Sequence, residues 1–99
     1  MAFEMLVGLN VTDDEQYQEY RRAMMPILER HGGGFGYDFK VSEVLKTQVD
    51  HHINRVFTIY FPSEERKQEF FSNQEYLEVK GKHYVNSVGD TTVISGYEQ

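Results

Sequence analysis

The sequence predicts an α+β fold whose elements follow the order strand–helix–strand–strand–helix–strand. Runs of alternating polar and apolar residues, typical of half-buried strands, occur in four places, and two stretches between them carry apolar residues at helical spacing. Two right-handed crossovers in this order give a four-stranded antiparallel sheet with both helices on one face, the ferredoxin-like arrangement. The 99 residues have room for one hydrophobic core, so a single domain is predicted over residues 1–99.

The first strand and first helix have clear boundary signals. Residues 3–11 alternate, and residues 12–15 (TDDE) predict a capping box with the threonine as N-cap. Apolar residues at helical spacing continue to about His31, with a kink expected at Pro26. The three glycines at residues 32–34 predict the end of this helix and a left-handed cap.

The rest of the chain is predicted to complete the order with two paired strands, an interrupted helical region and a last strand. These elements are predicted at residues 37–45, 55–61, 63–72, 75–88 and 91–97. Ser63 is the expected N-cap of the helical region. Gly89-Asp90 predicts a turn before the last strand.

The sheet face away from the helices is predicted to carry apolar side chains that need a cover. They are Leu6, Val44, Val56, Tyr60 and Ile94. A second copy of the same sheet is the simplest cover, so the sequence predicts a homodimer formed through the sheet face.

Charge and composition exclude several function classes. The chain has 10 basic and 16 acidic residues, a net charge of −6, without a basic stripe, which argues against a nucleic-acid partner or an anionic membrane surface. Cysteine is absent, so disulfides, thiolate catalysis and cysteine-based zinc sites are excluded. No signal peptide or membrane span is expected, and the predicted location is cytoplasmic.

Short motifs in a fixed order span nearly the whole chain. They are Val11-Thr12-Asp13, Tyr17 with Tyr20, Pro26 before His31-Gly32-Gly33, Glu43-Val44-Leu45, Phe61-Pro62-Ser63, Ser72 before Glu75-Tyr76, and Val93-Ile94-Ser95-Gly96. On these motifs the chain resembles the bacterial domain-of-unknown-function family thirteen-thirty, within the dimeric α/β barrel superfamily. The resemblance implies a ferredoxin-like domain that pairs sheet to sheet and implies no established activity. Relatives in the superfamily include cofactor-free monooxygenases and muconolactone isomerases.

One position departs from that family. Its members usually have an arginine where this sequence has His83. Any anion contact that the resemblance would imply at this position therefore requires a protonated histidine.

Four polar side chains are predicted to bind a ligand in a pocket between the first helix and the sheet. They are Tyr20, His31 and Tyr37, with His83 at the mouth. Each also has a structural interpretation: His31 can cap the helix, His83 can be a half-exposed helix residue, and the tyrosines can fill the core.

Other polar clusters are interpreted as structural. Asp50-His51-His52 lies in a predicted loop without a third ligand, so neither a metal nor a cofactor is expected. Glu43 and Arg55 are predicted to form a structural pair across neighbouring strands, and the alternative is that they line the mouth of a pocket. The glycine run lacks the strand before it and the helix after it that a phosphate loop needs.

Two function classes remain open. The first is a non-catalytic small-molecule-binding or dimerisation module, which is favoured because no nucleophile–base–orienter set is evident. The alternative is a cofactor-independent monooxygenase- or isomerase-like enzyme acting on a small organic substrate, aromatic molecules included. The sequence identifies no catalytic residue, ligand or pathway.

Overall fold

Four strands and a series of helical segments follow one another in the predicted order. The computed structural model describes residues 2–99. Its elements are β1 (Phe3–Val11), α1 (Asp14–Arg30), β2 (Gly34–Lys40), β3 (Arg55–Phe61), α2 (Glu64–Ser72), α3 (Gln74–Val79), a π-helical turn (Lys80–Tyr84), α4 (Val85–Ser87) and β4 (Val88–Glu98). The strands form one antiparallel sheet in the order β2-β3-β1-β4, which confirms the predicted ferredoxin-like topology.

The hydrophobic core lies between the helices and one face of the sheet. On that face Val7 pairs with Phe57 and Met5 with Ile59 across β1 and β3. The buried residues of α1 that meet this face are Tyr17, Tyr20, Met24, Ile27 and Leu28. No helix within residues 2–99 is long and apolar enough to cross a membrane.

The start of α1 differs from the predicted capping box. Asp13 is the N-cap, and its side chain accepts a hydrogen bond from the Gln16 amide at 3.1 Å. Thr12 is instead tied to the end of α4, because its backbone N–H donates to the Ser87 carbonyl at 2.8 Å and its hydroxyl donates to the same oxygen at 3.3 Å. The prediction of Thr12 as N-cap is therefore wrong by one residue.

The end of α1 confirms the predicted left-handed cap. Gly32 has a φ of 77°, a conformation that only glycine adopts at little cost. The Gly33 amide donates to the Leu28 carbonyl at 3.0 Å, and the Gly32 amide donates to the Glu29 carbonyl at 2.9 Å. This pair of bonds is the Schellman arrangement.

The second strand begins earlier and ends earlier than predicted. β2 covers Gly34–Lys40, and its register against β3 shifts between Phe35 and Asp38. This bulge places Asp38 opposite Phe57 on the helix side, while Phe39 lies opposite Val56 on the other face. The alternation predicted for residues 37–45 placed Tyr37 on the helix side and Asp38 on the open face. The structure exchanges these two faces, because the bulge adds a residue that a period-two pattern does not contain.

The last strand also begins earlier than predicted. Gly89 and Asp90 were expected to form a turn, but both continue β4, and Asp90 pairs with Asn10. The Asn10 side-chain amide donates to the Asp90 carboxylate at 3.3 Å. Pairing with β1 therefore overrides the local turn tendency of Gly-Asp.

The predicted break at residues 72–73 is confirmed, because Asn73 ends α2 and caps α3.

Two glycine-to-alanine substitutions should have opposite effects on stability. In Gly32→Ala the new Cβ would lie 2.7 Å from Pro62 Cγ at a positive φ, so the free energy of unfolding should fall by at least about 1–2 kcal/mol. Gly81→Ala is the matched control. Its Cβ meets no atom within 4 Å, so stability should stay equal or rise by up to about 1 kcal/mol. Urea denaturation measures both, and equal losses in the two variants would contradict the left-handed cap.

Candidate functional site

A cavity of about 210 Å³ lies between α1, the π-helical turn and the helix side of the sheet. Its wall is mainly aromatic and aliphatic, with a few polar tips. The lining residues are Met5, Val7, Tyr17, Tyr20, Arg21, Phe35, Phe57, Ile59, Phe71, Tyr76, Lys80, Tyr84, Thr91 and Val93. Thr91 and Val93 are exposed, so the cavity opens beside β4.

Tyrosine hydroxyls form part of the polar surface of this cavity. The Tyr20 and Tyr76 hydroxyls are 2.8 Å apart, and the Tyr84 hydroxyl is 2.6 Å from Thr91 Oγ1. Burial raises the pKa of Tyr76 to about 12 and raises the pKa of Tyr20 well above its usual range. These phenols therefore stay neutral at physiological pH and offer hydrogen bonds rather than charge.

The Arg21 guanidinium is one of two charged groups in the wall, and the other is the Lys80 ammonium. Its Nε donates to the Tyr17 hydroxyl at 2.9 Å, and Nη1 donates to Asp38 Oδ2 at 3.2 Å. The group lies 3.8 Å from the centroid of the Phe35 ring and 4.9 Å from that of Phe57. Nη2 is buried and has no hydrogen-bond acceptor within the described residues 2–99.

Asp38 is shared between two arginines. Arg55 donates to both of its oxygens, through Nε to Oδ1 at 2.8 Å and through Nη2 to Oδ2 at 2.9 Å, and Oδ2 also accepts from Arg21. Burial raises the pKa of Asp38, but the hydrogen bonds of Arg55 and the charge of Arg21 outweigh it and hold this pKa below its usual value. The predicted partner of Arg55 was Glu43; that prediction is wrong, because Glu43 lies in the segment after β2 and the bulge brings Asp38 beside Arg55.

A π-helical turn supplies Lys80 and Tyr84 to the cavity. Within it the Val85 amide donates to the Lys80 carbonyl, five residues earlier. Single π-helical turns inside helices occur frequently at functional sites, because the wider turn changes where side chains point. Here the widened turn lies against α1, and Lys80 Nζ is 5.8 Å from the centroid of the Tyr84 ring.

The four residues predicted as ligand-binding do not meet in this cavity. Only Tyr20 lines it. His31 Nδ1 lies 2.8 Å from the Ile27 carbonyl at the end of α1, and His83 Nδ1 lies 2.7 Å from Gln16 Oε1. Tyr37 is 65% exposed and stacks on Phe39 on the opposite face of the sheet. Ligand binding by the four residues stays a prediction, but they do not share one pocket.

Sequence reasoning missed the residue that carries the charge of the site. Arg21 follows Tyr17 by four residues, so both lie on the helix face that turns toward the sheet. A cationic residue within the otherwise apolar inner face of the first helix was the available signal for a charged group in the site. Its partner Asp38 had no such signal, because its orientation depends on the bulge in β2.

One histidine of the long connection between β2 and β3, His51, takes part in a structural contact. His51 Nε2 lies 2.8 Å from Thr92 Oγ1, which ties the connection to β4. Within residues 2–99, no group of three or more histidine, aspartate or glutamate side chains converges at a geometry that would hold a metal ion.

Comparison with known proteins identifies a family and a fold. The sequence matches the family described as Domain of unknown function (DUF1330) over residues 5–97. A protein of unknown function from Rhodopseudomonas palustris shares 24% identity at a TM-score of 0.83, over 99% of this chain and 82% of that one. The sequence has no match among curated proteins.

Two more distant structures share the fold. A DABB family protein with a ferredoxin-like fold from Mesorhizobium loti has 12% identity and a TM-score of 0.68, over 99% of this chain and 96% of that one. A protein from Bacteroides fragilis, described as dimeric, of unknown function and with a ferredoxin-like fold, has 12% identity and a TM-score of 0.58 over the same shares of the two chains. At these identities the likeness confirms the fold alone.

The buried phenol pair should make stability fall at high pH. Burial raises the pKa of Tyr76 from 10.0 to about 12 in the folded state. The stabilisation that the neutral phenol gives to the folded state is therefore fully present below about pH 10 and is lost as the pH rises toward 12. The free energy of unfolding of the wild type should therefore fall more steeply than that of Tyr76→Phe over this interval, by on the order of 2 kcal/mol. Denaturant titrations at pH 8, 10 and 12 measure the difference. Parallel pH profiles for the two proteins would contradict the assignment.

Proposed function

We propose a function for this chain on the premise that it belongs to the DUF1330 family, as its match over residues 5–97 shows. In this proposal the chain is a non-catalytic small-molecule-binding domain, and its ligand occupies the cavity between α1 and the sheet. The observation that carries the proposal is the wall of that cavity, a mainly apolar and aromatic surface into which a few polar tips converge. Ligand sites in proteins have this composition. Of the residues predicted from the sequence, Tyr20 belongs to the proposed site.

Binding is proposed rather than proton transfer because no histidine, aspartate or glutamate within residues 2–99 lines the cavity to act as the base. A general base works best with a pKa near the operating pH. Burial raises the pKa of the phenols of Tyr17, Tyr20, Tyr76 and Tyr84 instead. None of the four histidines, all within the described residues, lines the cavity.

The proposed assembly is a homodimer that pairs the sheet faces opposite the helices. That face carries apolar side chains exposed to between 38% and 65% of their area. They are Tyr37, Phe39, Tyr60, Ile94 and Tyr97. A domain of this size rarely leaves so many aromatic residues together in water, and the neighbour from Bacteroides fragilis is described as dimeric. The proposed setting is the cytoplasm, which the absence of cysteine supports.

Blocking the mouth of the cavity should abolish ligand binding without unfolding the protein. Val93 lines the cavity and is 55% exposed, so Val93→Trp can place its indole over the opening beside β4. Binding of single-ring aromatic fragments can be followed by two-dimensional amide NMR. The fragments should shift the amide signals of residues around Tyr20 and Phe57 in the wild type and leave those signals unchanged in Val93→Trp. The matched control is Val85→Trp, at a position 64% exposed and outside the cavity wall. Equal binding by both variants would contradict the proposed site.

Removing apolar contact from the open sheet face should dissociate the dimer. Wild-type protein should elute at about twice the chain mass of 11.6 kDa in size exclusion with light scattering at micromolar concentration. Phe39→Lys, on the open face, should shift the mass to that of one chain, because a charge buried in an apolar interface is costly. Leu77→Lys is the control, since Leu77 is 44% exposed on α3. A monomeric wild type, or dissociation of both variants alike, would overturn this assembly.

A further inference from the structure

The connection between β2 and β3, which we call the arm, covers residues 41–54 and contains no regular secondary structure. Connections longer than about 12–15 residues without secondary structure are uncommon in compact domains, and many of them are functional. The arm is also richer in aliphatic side chains than a flexible linker, whose residues are mainly small or polar. These side chains are Val41, Val44, Leu45, Val49 and Ile53.

The arm is anchored beside the open face of the sheet, the face opposite the helices. At its base the Val41 amide donates to the Asn54 carbonyl at 2.9 Å. Gly8 lies between two core residues of β1 and so faces the open side, where a Cβ built on it would lie 3.2 Å from Ile53 Cγ2. The contact of His51 with β4 fixes the same end. The arm therefore has a fixed position at the border of this face.

The tip of the arm presents apolar side chains to water. Leu45 is 89% exposed, more than any other large apolar side chain that is exposed within residues 2–99, and the adjacent Val44 is 37% exposed. Phe39, which is 55% exposed on the open face, comes shortly before the arm in the chain. The apolar surface of the open face thus continues into the arm, and extended apolar surface of this kind marks a protein–protein contact.

The open face alone is small for a specific interface. The strands β2 and β3 have seven residues each. At a spacing of about 4.8 Å and a rise of about 3.3 Å per residue, four such strands give a flat area of about 450 Å². Ile53 already covers the part of this area at Gly8. A specific dimer buries about 800 Å² on each chain, so the sheet needs additional surface, and the arm is the apolar surface that adjoins it.

We propose that the arm packs on a second copy of this chain and buries Leu45 and Val44 at the edge of the paired sheets. The two-fold symmetry of a homodimer makes the contact reciprocal, so each dimer buries two arms. This inference rests on the homodimer of the proposed function, because it names the segment that completes that interface.

Charging the tip of the arm should weaken the dimer without unfolding the chain. Leu45→Asp should raise the dimer dissociation constant at least about a hundredfold, because each dimer loses two buried leucines and each is worth a factor of about ten or more. The matched control is Leu77→Asp, at a leucine that is 44% exposed on α3, and its constant should stay within about twofold of the wild type. Sedimentation velocity of the labelled full-length protein, from nanomolar to micromolar concentration, measures all three constants. A wild-type constant in Leu45→Asp, or equal increases in the two variants, would overturn the proposal.

Isotope-filtered NMR of the wild type tests the contact directly. A mixture of labelled and unlabelled chains gives nuclear Overhauser effects that arise only between two copies. We expect such effects from the methyl groups of Leu45 and Val44 and from the ring of Phe39. Effects at Phe39 with none at Leu45 and Val44 would overturn the role of the arm and leave the sheet-to-sheet homodimer intact. A monomeric wild type would overturn this inference and the proposed homodimer together.

Discussion

The charged wall of the cavity depends on one carboxylate, that of Asp38. It holds Arg55 through two hydrogen bonds of 2.8 and 2.9 Å and Arg21 through one of 3.2 Å. Without this anion, two guanidinium groups would face each other between α1 and the sheet, and their repulsion in a partly buried site would displace at least one of them. With it, Arg21 stays against the aromatic rings with one nitrogen unpaired. The bulge in β2 is the structural cause, because it turns Asp38 to the helix side.

The cavity exists because large and rigid side chains surround it in a small domain. Tyrosines from α1, α3 and the π-helical turn meet through their hydroxyls and ring edges rather than filling the centre. The ring of Tyr20 lies 4.8 Å from that of Tyr84, and its hydroxyl meets that of Tyr76. Satisfied hydroxyls keep these rings in fixed positions, so the space between them and the sheet persists. The proposed ligand site and the proposed dimer face therefore lie on opposite sides of the sheet.

The architecture followed from the sequence because its signals are local and repeated. Alternation over β1 and β3, the helical spacing of α1 and the Asn73 break identified these elements, and the chain order left one simple sheet topology. Predictions were wrong where pairing outweighed local preference. Asn10 draws Asp90 into β4 although Gly-Asp favours a turn, and the bond from Thr12 to Ser87 moves the N-cap by one residue.

The composition of the site was present in the sequence, but its geometry was not. The aromatic content and the position of Tyr20 on the inner face of α1 could be inferred from spacing. The orientation of Tyr37 and Asp38 depends on a bulge, which exchanges the two faces of a strand and leaves no trace in a period-two pattern. The π-helical turn that brings Lys80 to the cavity is likewise a product of packing against α1. The sequence by itself therefore determined the fold and the face on which a site can form, whereas tertiary contacts decided which charge enters it, because that choice depends on register.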